Sequence, residues 1–279
     1  MTHRRTVLAA LAALLFAPAA HAGAAEPLAC TILLDARDGT TLAHEGRCDV
    51  RITPASTFKI AIALMGYDSG VLADEHHPVL PFRPGYVDWR DAWRAPTDPA
   101  RWIRESVVWY SQQTVKKLGT ARWQAYVDRF GYGNRDLSDT RHRAEFAADG
   151  LSLAWVNSSL QISGDEQAAF LRKVVNRELG LAPRAYEMTA RILRQPVDVD
   201  GWTVYGKMGS GAPVLADGET DNTHRYGWFV GWATKGARTV VFVKMAQDAQ
   251  ATEGIAGVRV REALLHELPA RLDAPQPRQ

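Results

Sequence analysis

The chain has 279 residues, of which 33 are Lys or Arg and 31 are Asp or Glu, and 46% of its residues are hydrophobic. Residues 1–22 contain two arginines and no acidic residue, so the 257 residues after them carry 31 basic and 31 acidic side chains and no formal net charge. Such a chain lacks the basic field that would attract nucleic acid or anionic lipid, and its length and apolar content suit one large packed domain.

The first 22 residues read as a secretory signal peptide. Two arginines near the start precede an apolar stretch from Val7 to Phe16, and the stretch is followed by the cleavage-site pattern Ala20-His21-Ala22. A membrane anchor is the weaker interpretation, because so short a run does not cross about 30 Å of hydrocarbon. We expect cleavage after about Ala22, export to the periplasm, and a mature domain over residues 23–279.

The two cysteines of the chain, Cys30 and Cys48, flank a predicted β-hairpin. Two short strand-like segments lie between them, on either side of an Asp-Gly turn at Asp38-Gly39. In an exported protein this placement favours a disulfide. Two free thiols remain the alternative, since the sequence does not show connectivity.

Hydrophobic periodicity predicts the order of the remaining elements. Residues 75–104 are rich in Pro, Trp, Arg and Asp and are expected to be a surface loop. The predicted helices are Val107–Leu118, Ala121–Phe130, Gly164–Leu179, Pro183–Gln195 and about Ile255–Leu268, and the predicted late strands are Trp202–Lys207, Tyr226–Ala233 and Thr239–Met245. Strands at both ends with helices between them predict an α+β fold, in which an antiparallel sheet built from both chain termini carries an inserted helical lobe.

The segment Ser56-Thr57-Phe58-Lys59 combines a potential nucleophile with a potential base. It opens a predicted helix, and residues i and i+3 lie on one helical face, so the hydroxyl and the amine point into the same space. The first turn of a helix also offers unpaired backbone N–H groups and the positive end of the helix dipole, which suit a developing oxyanion. Alone, the motif is weak evidence, because serine is a common N-cap residue.

Further motifs downstream strengthen this signal. In chain order they are Ser106-Val107-Val108, Tyr132-Gly133-Asn134, Ala154-Trp155-Val156, Lys207-Met208-Gly209, Trp228-Phe229-Val230-Gly231-Trp232 and Arg259. In this order, and over nearly the whole mature chain, they resemble the class D serine β-lactamases, the oxacillinase family. Phe58 before the lysine and a Tyr-Gly-Asn triplet, where class A enzymes have Ser-Asp-Asn, favour class D.

For the Ser56 motif, the resemblance implies a serine acyl-enzyme. Ser56 would attack the lactam carbonyl, and the backbone N–H groups of Ser56 and Ser210 would hold the oxyanion. Lys59 would be carboxylated by CO₂ or bicarbonate and act as general base, since apolar surroundings keep a buried amine neutral. The carbamate pocket would consist of Phe58, Val108, Trp155 and Val156. Read alone, Trp155 would be a core aromatic.

The same resemblance assigns the remaining motifs. Ser106, at the expected start of the next helix, would pass a proton to the leaving lactam nitrogen, and Lys207 would keep it in an electropositive setting. Arg259 would pair with the substrate carboxylate through its guanidinium fork, the alternative being a surface arginine. Tyr132 and Asn134 would line the oxyanion or substrate site. Turn formation and support of the pocket wall are the alternatives for both.

One motif departs from the family pattern. The family usually has Thr or Ser between the lysine and the glycine of the third motif, and this chain has Met208, which removes a hydroxyl that could bond the substrate carboxylate. The hydroxyl of Ser210, two residues later in the chain, could take the place of the missing one. A smaller departure is Val156, which follows the tryptophan where the family often has leucine.

The expected partners are small β-lactam molecules, with CO₂ or bicarbonate as the only co-reactant and no metal. No nucleic acid or stable membrane association is expected, and the chain is expected to be a monomer or a homodimer.

Two related functions are alternatives to β-lactam hydrolysis. A peptidoglycan transpeptidase or carboxypeptidase would use the same serine, and a β-lactam sensor would be acylated without turnover. A sensor needs membrane spans, and none is evident after residue 22.

Overall fold

A five-stranded antiparallel sheet built from both ends of the chain carries the rest of the fold. The structure, a computed structural model, describes residues 26–142, 151–197 and 199–273. The strands are β1 (Ala29–Asp35), β2 (Thr41–Gly46), β3 (Thr203–Gly211), β4 (Tyr226–Lys235) and β5 (Arg238–Gln247), in the order β2-β1-β5-β4-β3. The predicted α+β fold is confirmed, whereas the predicted signal peptide, residues 1–22, lies outside the described residues.

The predicted hairpin and disulfide are both present. β1 pairs with β2 on one side and with β5 on the other, where Ile32 lies opposite Val243. Cys30 and Cys48 form a disulfide, and both residues are buried. The bond joins residues 18 positions apart, so it restricts the unfolded chain and stabilises the hairpin end of the sheet.

Seven helices occur in the described residues. They are α1 (Lys59–Asp68), α2 (Pro99–Glu105), α3 (Val108–Leu118), α4 (Thr120–Phe130), α5 (Gly164–Val175), α6 (Pro183–Leu193) and α7 (Ala256–Asp273). Short 3₁₀ helices cover Ala55–Phe58 and Asp91–Trp93. Every residue of α1 from Lys59 to Tyr67 is buried, as expected for a helix that is apolar on all sides and lies at the centre of the molecule.

The start of α5 follows directly from its sequence. Ser163 and Glu166 form a capping box, in which Glu166 N–H donates to Ser163 Oγ at 3.2 Å and Ser163 N–H donates to the Glu166 carboxylate at 2.9 Å. The predicted beginning at Gly164 is therefore confirmed. The helix ends at Val175, four residues before the predicted end at Leu179.

The prediction of an irregular loop over residues 75–104 is wrong for its last part, which forms α2. Asp98 caps this helix by accepting a hydrogen bond from Arg101 N–H at 2.7 Å, and Pro99 takes the first helical position. Ser106 ends α2 in a left-handed conformation with φ 59° and does not begin the next helix, which starts at Val108. The change of direction at Ser106 separates α2 from α3.

The sheet has a hydrophobic layer on each face. On one face, α7 packs through Leu264 and Leu268 against residues such as Phe229 and Phe242. On the other face, α1 and the helical lobe form the larger core. In the described ranges, no helix is both long enough and apolar enough to cross a membrane. The edge strand β3 runs past the N-terminal turn of α1, and this is where the predicted site residues gather.

Candidate active site

The 3₁₀ turn before α1 brings Ser56 and Lys59 together. In a 3₁₀ helix, side chains three residues apart are aligned, and Lys59 Nζ donates to Ser56 Oγ at 3.1 Å. Sequence analysis expected both residues in an α-helical turn, but Ser56 lies in the 3₁₀ turn and Lys59 begins α1. Thr57 stabilises the turn, because its hydroxyl donates to Pro54 O at 2.7 Å and accepts from the Gln167 amide at 2.9 Å.

Lys59 is completely buried beside an aromatic wall. The Phe58 ring lies 5.0 Å from the ring of Tyr132 and 5.8 Å from that of Trp155, measured between centroids. No surface of Lys59 is exposed, and desolvation, together with the charge of Lys207, holds the pKa of the Lys59 amine well below its usual range. Both effects favour the neutral amine, which is the state required of a base.

The Trp155 indole lacks a hydrogen-bond partner. Trp155 has no exposed surface, and its Nε1–H has no acceptor among the described residues. Its ring lies against Phe58, the residue before Lys59. Val156 is half-buried next to it in the chain, and Val108 is buried at the start of α3. Burial of an N–H donor without an acceptor costs about 1–3 kcal/mol, and Trp155 shares this state with Trp123 and Trp202 but is the one that belongs to a predicted site motif.

Lys207 is the second buried lysine of the site. It lies on β3 and is 3% exposed, and its ammonium donates to Met208 O at 3.1 Å. Burial, with the nearby positive charges of Arg90 and Arg261, lowers the pKa of Lys207 to about 7. Its charge acts in turn on Lys59, so the two predicted catalytic lysines lie in one electrostatic environment.

Gly209 allows β3 to lie against the nucleophile turn. A Cβ atom added at Gly209 would be 2.9 Å from Pro54 O and 3.2 Å from Ser56 N, closer than ordinary van der Waals contact. Only a glycine lets the two backbones approach this closely. The backbone of β3 at Gly209-Ser210 and the N–H of Ser56 therefore border the same space beside Ser56 Oγ.

The side chains after Lys207 alternate between the two faces of the sheet. Met208 packs into the hydrophobic layer beneath α7, away from the helical lobe. Ser210 also faces α7, where its Oγ accepts a hydrogen bond from Gly257 N–H at 2.9 Å. Its hydroxyl proton is free for another acceptor, because this bond occupies only a lone pair.

Two arginines of α7 differ in their surroundings. Arg259, the predicted partner of the substrate carboxylate, binds both carboxylate oxygens of Asp248 and donates to the backbone oxygens of Glu253 and Gly254. Arg261 is close enough to Lys207 to lower its pKa, and its buried Nε has no partner among the described residues. Sequence analysis did not assign a role to Arg261.

The Tyr-Gly-Asn motif lies behind the nucleophile. Tyr132 has no exposed surface and packs on Phe58, and burial raises its pKa, so its hydroxyl stays protonated at neutral pH. Asn134 bonds the segment after Trp155: its amide donates to Ser159 O at 2.8 Å, and its side-chain oxygen accepts from Gln161 N–H at 3.0 Å. Both contacts support the pocket-wall interpretation of this motif.

Sequence analysis missed Asp139, a buried carboxylate near Trp155. It is 3% exposed and accepts hydrogen bonds from both sides of the tryptophan, at Leu153 N–H and at the Ser158 hydroxyl. The available signal was a lone Asp among Gly, Asn and Ser, which is common in turns. Among the residues that the structure describes, no cluster of His, Cys, Asp and Glu side chains could hold a metal ion.

Comparison with known proteins agrees with this geometry. The penicillin binding protein transpeptidase domain family matches residues 29–268. Beta-lactamase OXA-9 from Klebsiella pneumoniae is 39% identical over 245 residues, which are 88% of each chain. Beta-lactamase OXA-1 from Escherichia coli is 34% identical over 218 residues, which are 77% of this chain and 74% of that protein.

The fold comparison gives the same result. The crystal structure of OXA-427 class D β-lactamase is 46% identical in sequence and superimposes with a TM-score of 0.80, covering 88% of this chain and 98% of that chain. These matches confirm that the resemblance reflects homology, as the Ser56, Tyr132, Trp155 and Lys207 motifs indicated. This chain belongs to the class D β-lactamases, a family of hydrolases with the fold shared by penicillin-binding proteins and serine β-lactamases.

Proposed function

We propose that this enzyme hydrolyses the lactam ring of β-lactam antibiotics through an acyl-enzyme on Ser56, with a carboxylated Lys59 as general base, and so confers β-lactam resistance. The main support is the 3.1 Å contact between Lys59 Nζ and Ser56 Oγ in a site where the lysine is wholly buried. A protonated lysine could not accept the serine proton, and burial lowers the pKa of Lys59 and so favours its neutral form.

The surroundings of Lys59 suit carboxylation of its amine. Only a neutral amine adds CO₂, and the product is an anion that needs hydrogen-bond donors in a buried place. The unpartnered Trp155 Nε1–H is such a donor, and it cannot accept the serine proton itself because an indole nitrogen has no free lone pair. When carboxylated, Lys59 supplies a negatively charged base of moderate strength beside Ser56.

Backbone N–H groups stabilise the charge that develops when Ser56 attacks. The oxyanion is bound by the N–H groups of Ser56 and Ser210, on the turn and on the facing strand. Support comes from Gly209, whose missing side chain lets β3 approach the Ser56 backbone. Loss of one donor of this kind typically lowers the rate by about 10²–10³.

The leaving lactam nitrogen receives its proton through Ser106. Ser106 is nearly buried at the turn between α2 and α3. Lys207, with a pKa of about 7, exists at neutral pH as a mixture of ammonium and amine, so it stabilises negative charge nearby and exchanges protons readily. Water then attacks the acyl-enzyme, with the side chain of Lys59 again receiving the proton.

The substrate carboxylate binds the positive charges at the other end of β3. Arg259 is the principal ligand, and Ser210 Oγ donates the hydrogen bond that Met208 cannot supply. Asp248 already neutralises part of the Arg259 charge, so the substrate carboxylate must share the guanidinium with it. The unpaired Nε of Arg261 and its effect on Lys207 support a second, longer-range contribution from Arg261.

A periplasmic location would suit this activity. A signal peptide over residues 1–22 would deliver the mature enzyme to the periplasm, where the disulfide between Cys30 and Cys48 can form and where β-lactams reach their targets. The enzyme acts there on small molecules, as a monomer or a homodimer. Mass spectrometry of the protein secreted to the periplasm should find an N-terminus at about residue 23.

Replacement of the nucleophile tests the proposed function. Ser56→Ala should abolish steady turnover of the chromogenic cephalosporin nitrocefin and leave the melting temperature unchanged, since only the hydroxyl is lost. Ser69→Ala, which removes a hydroxyl at the other end of α1, is the control and should retain activity. A wild-type protein that is acylated but does not turn over would instead be a sensor or a transpeptidase. Residual turnover in Ser56→Ala would refute the proposal.

Carboxylation of Lys59 is tested separately. Activity should fall when CO₂ is removed and recover when bicarbonate is added, and ¹³C-bicarbonate should give a carbamate resonance by NMR. Trp155→Phe keeps the aromatic ring but removes the N–H donor, so it should weaken the resonance at limiting bicarbonate and slow deacylation more than acylation. Full activity without CO₂, and no carbamate resonance in the wild type, would mean that Lys59 acts as a free amine.

A further inference from the structure

A buried carboxylate lies behind the loop that carries Trp155. Asp139 is 3% exposed and has a left-handed backbone with φ 50°, a conformation that Asp tolerates better than most residues. Taking a carboxylate out of water is costly unless every oxygen is hydrogen-bonded. The hydrogen bonds that Asp139 accepts offset this desolvation.

Both oxygens of Asp139 bind the segment from Ser152 to Ser158, here called the Trp155 loop. Oδ2 accepts from Leu153 N–H at 2.6 Å and from the Ser152 hydroxyl at 3.2 Å. Oδ1 accepts from the Ser158 hydroxyl at 2.9 Å. The carboxylate thus holds the loop on both sides of Trp155, two residues before it and three residues after it.

The surroundings favour the charged form of Asp139. Burial opposes ionisation, but hydrogen bonds from His142, from the Leu153 backbone and from Ser158 outweigh it, and the pKa of the Asp139 carboxyl is held below its usual range. Charge-assisted bonds of this kind are shorter and stronger than neutral ones. His142 is the only charged or titratable partner of this carboxylate in the described residues, with Nδ1 at 3.0 Å from Oδ1.

Further hydrogen bonds hold the chain just after the Trp155 loop. Asp139 N–H donates to Ser159 Oγ at 2.9 Å, and Asn134 binds Ser159 O and Gln161 N–H just beyond the loop. A backbone bond also spans Trp155, since the N–H of Leu160, two residues beyond the loop, donates to Ala154 O at 2.9 Å. The direction of the indole is therefore set by the contacts at the two ends of a short loop.

We propose that Asp139 is a positioning residue that aims the Trp155 N–H at the side chain of Lys59. The proposal rests on the function proposed above, because the N–H has this purpose only if Lys59 is carboxylated. Asp139 touches neither substrate nor Lys59 and acts through the loop. It should govern the affinity for CO₂, and hence the bicarbonate concentration at half-maximal activity, more than it governs acylation of Ser56.

The test compares two Asp→Asn substitutions in the same segment. Asp139→Asn removes the charge and replaces one acceptor oxygen by an NH₂ donor, which must then face either the Leu153 N–H or the Ser158 hydroxyl. Asp136→Asn is the matched control, because the Asp136 carboxylate is held chiefly by Ser138, whose N–H donates to it at 2.9 Å, and only more weakly by Ser159, which lies beyond the Trp155 loop. Ser158→Ala removes a single bond to Asp139 and is the milder variant, should Asp139→Asn fail to fold.

Bicarbonate titration and NMR provide the readouts. Asp139→Asn should raise the bicarbonate concentration at half-maximal nitrocefin turnover about tenfold, the size of effect expected for a lost charge-assisted bond. The ¹³C-carbamate resonance should weaken in parallel at limiting bicarbonate, and saturating bicarbonate should restore turnover. Ser158→Ala should shift the midpoint in the same direction but less, while Asp136→Asn stays at the wild-type value.

The possible failures are distinguishable. If the wild type gives no carbamate resonance, the proposed carboxylation of Lys59 is wrong, and the role of Asp139 is refuted with it. If the wild type is carboxylated, but folded Asp139→Asn or Ser158→Ala requires no more bicarbonate than Asp136→Asn does, the positioning role alone is refuted. A uniform loss of turnover that saturating bicarbonate does not rescue would likewise refute it, because that result indicates a general structural role.

Discussion

Replacement of Lys207 by methionine should make the stability of the enzyme less dependent on pH. Methionine has a similar length and no charge, so the substitution removes the buried ammonium and keeps much of the packing. Burial and the charges of Arg90 and Arg261 lower the pKa of Lys207 from 10.5 to about 7. At about 1.4 kcal/mol for each pKa unit, burying Lys207 in its protonated form lowers the free energy of unfolding by about 5 kcal/mol.

The direction of the pH dependence follows from proton binding. Between about pH 7 and pH 10.5 the unfolded chain binds more protons at Lys207 than the folded protein does, so folding stability rises with pH in this window. Below about pH 7 both states are protonated, and the full cost is present. The advantage of Lys207→Met over the wild type should therefore shrink by about 3 kcal/mol between about pH 6 and about pH 9.

Urea unfolding followed by circular dichroism measures this difference. The desolvation of Lys59 is present in both proteins, so its contribution largely cancels when the two unfolding free energies are subtracted at each pH. Lys117→Met, at an exposed lysine on α3, is the control and should change stability by the same amount at every pH. A difference for Lys207→Met that is also constant with pH would show that Lys207 is not held in a strongly desolvated, electropositive site.

Three further predictions concern the rest of the site. Arg259→Ala should raise KM for nitrocefin about tenfold and lower kcat less, as expected for lost uniform binding, while Arg261→Ala raises KM less; steady-state kinetics showing the reverse order would assign the carboxylate to Arg261. Gly209→Ala should lower kcat/KM about 100-fold by displacing the nucleophile turn, and a crystal structure with an unmoved turn would contradict this reason. Joint replacement of Cys30 and Cys48 by serine should lower the unfolding free energy by about 3 kcal/mol, and detection of two free thiols in the unreduced wild type would contradict the disulfide.

Sequence patterns predicted the architecture because burial leaves a different pattern in each kind of element. The continuous apolar runs of β1, β4 and β5 reflect a sheet that is covered on both faces, and the periodicity of α3 to α6 reflects burial of one helical face. Helix α2 was missed because seven residues are too few to show a helical period. Its existence depends on the cap at Asp98 and on the burial of Trp102, and the second of these is a tertiary effect.

The local part of the site could be read from the sequence, and the non-local part could not. Three residues of separation suffice to align Ser56 with Lys59, so their contact follows from chain geometry alone. The effect of Lys207 on Lys59 arises from packing of β3 against the turn, across about 150 residues, and was predicted only through family resemblance. The contacts of Asp139 with the Trp155 loop have no local pattern, and sequence analysis therefore missed them.

The chemistry of the site explains why its cations are not neutralised. In the part of the chain that the structure describes, the charged groups that shift the pKa of Lys59 or Lys207 are all cations: Lys207 acts on Lys59, and Arg90 and Arg261 act on Lys207. An acidic side chain placed beside either lysine would stabilise the fold, because it would favour the ammonium form. It would also raise the pKa of Lys59, and a protonated Lys59 could not act as a base. The site therefore keeps a destabilising cluster of like charges. In the proposed mechanism, two kinds of anion would relieve that repulsion: a carbamate on Lys59 and the carboxylate of a β-lactam substrate.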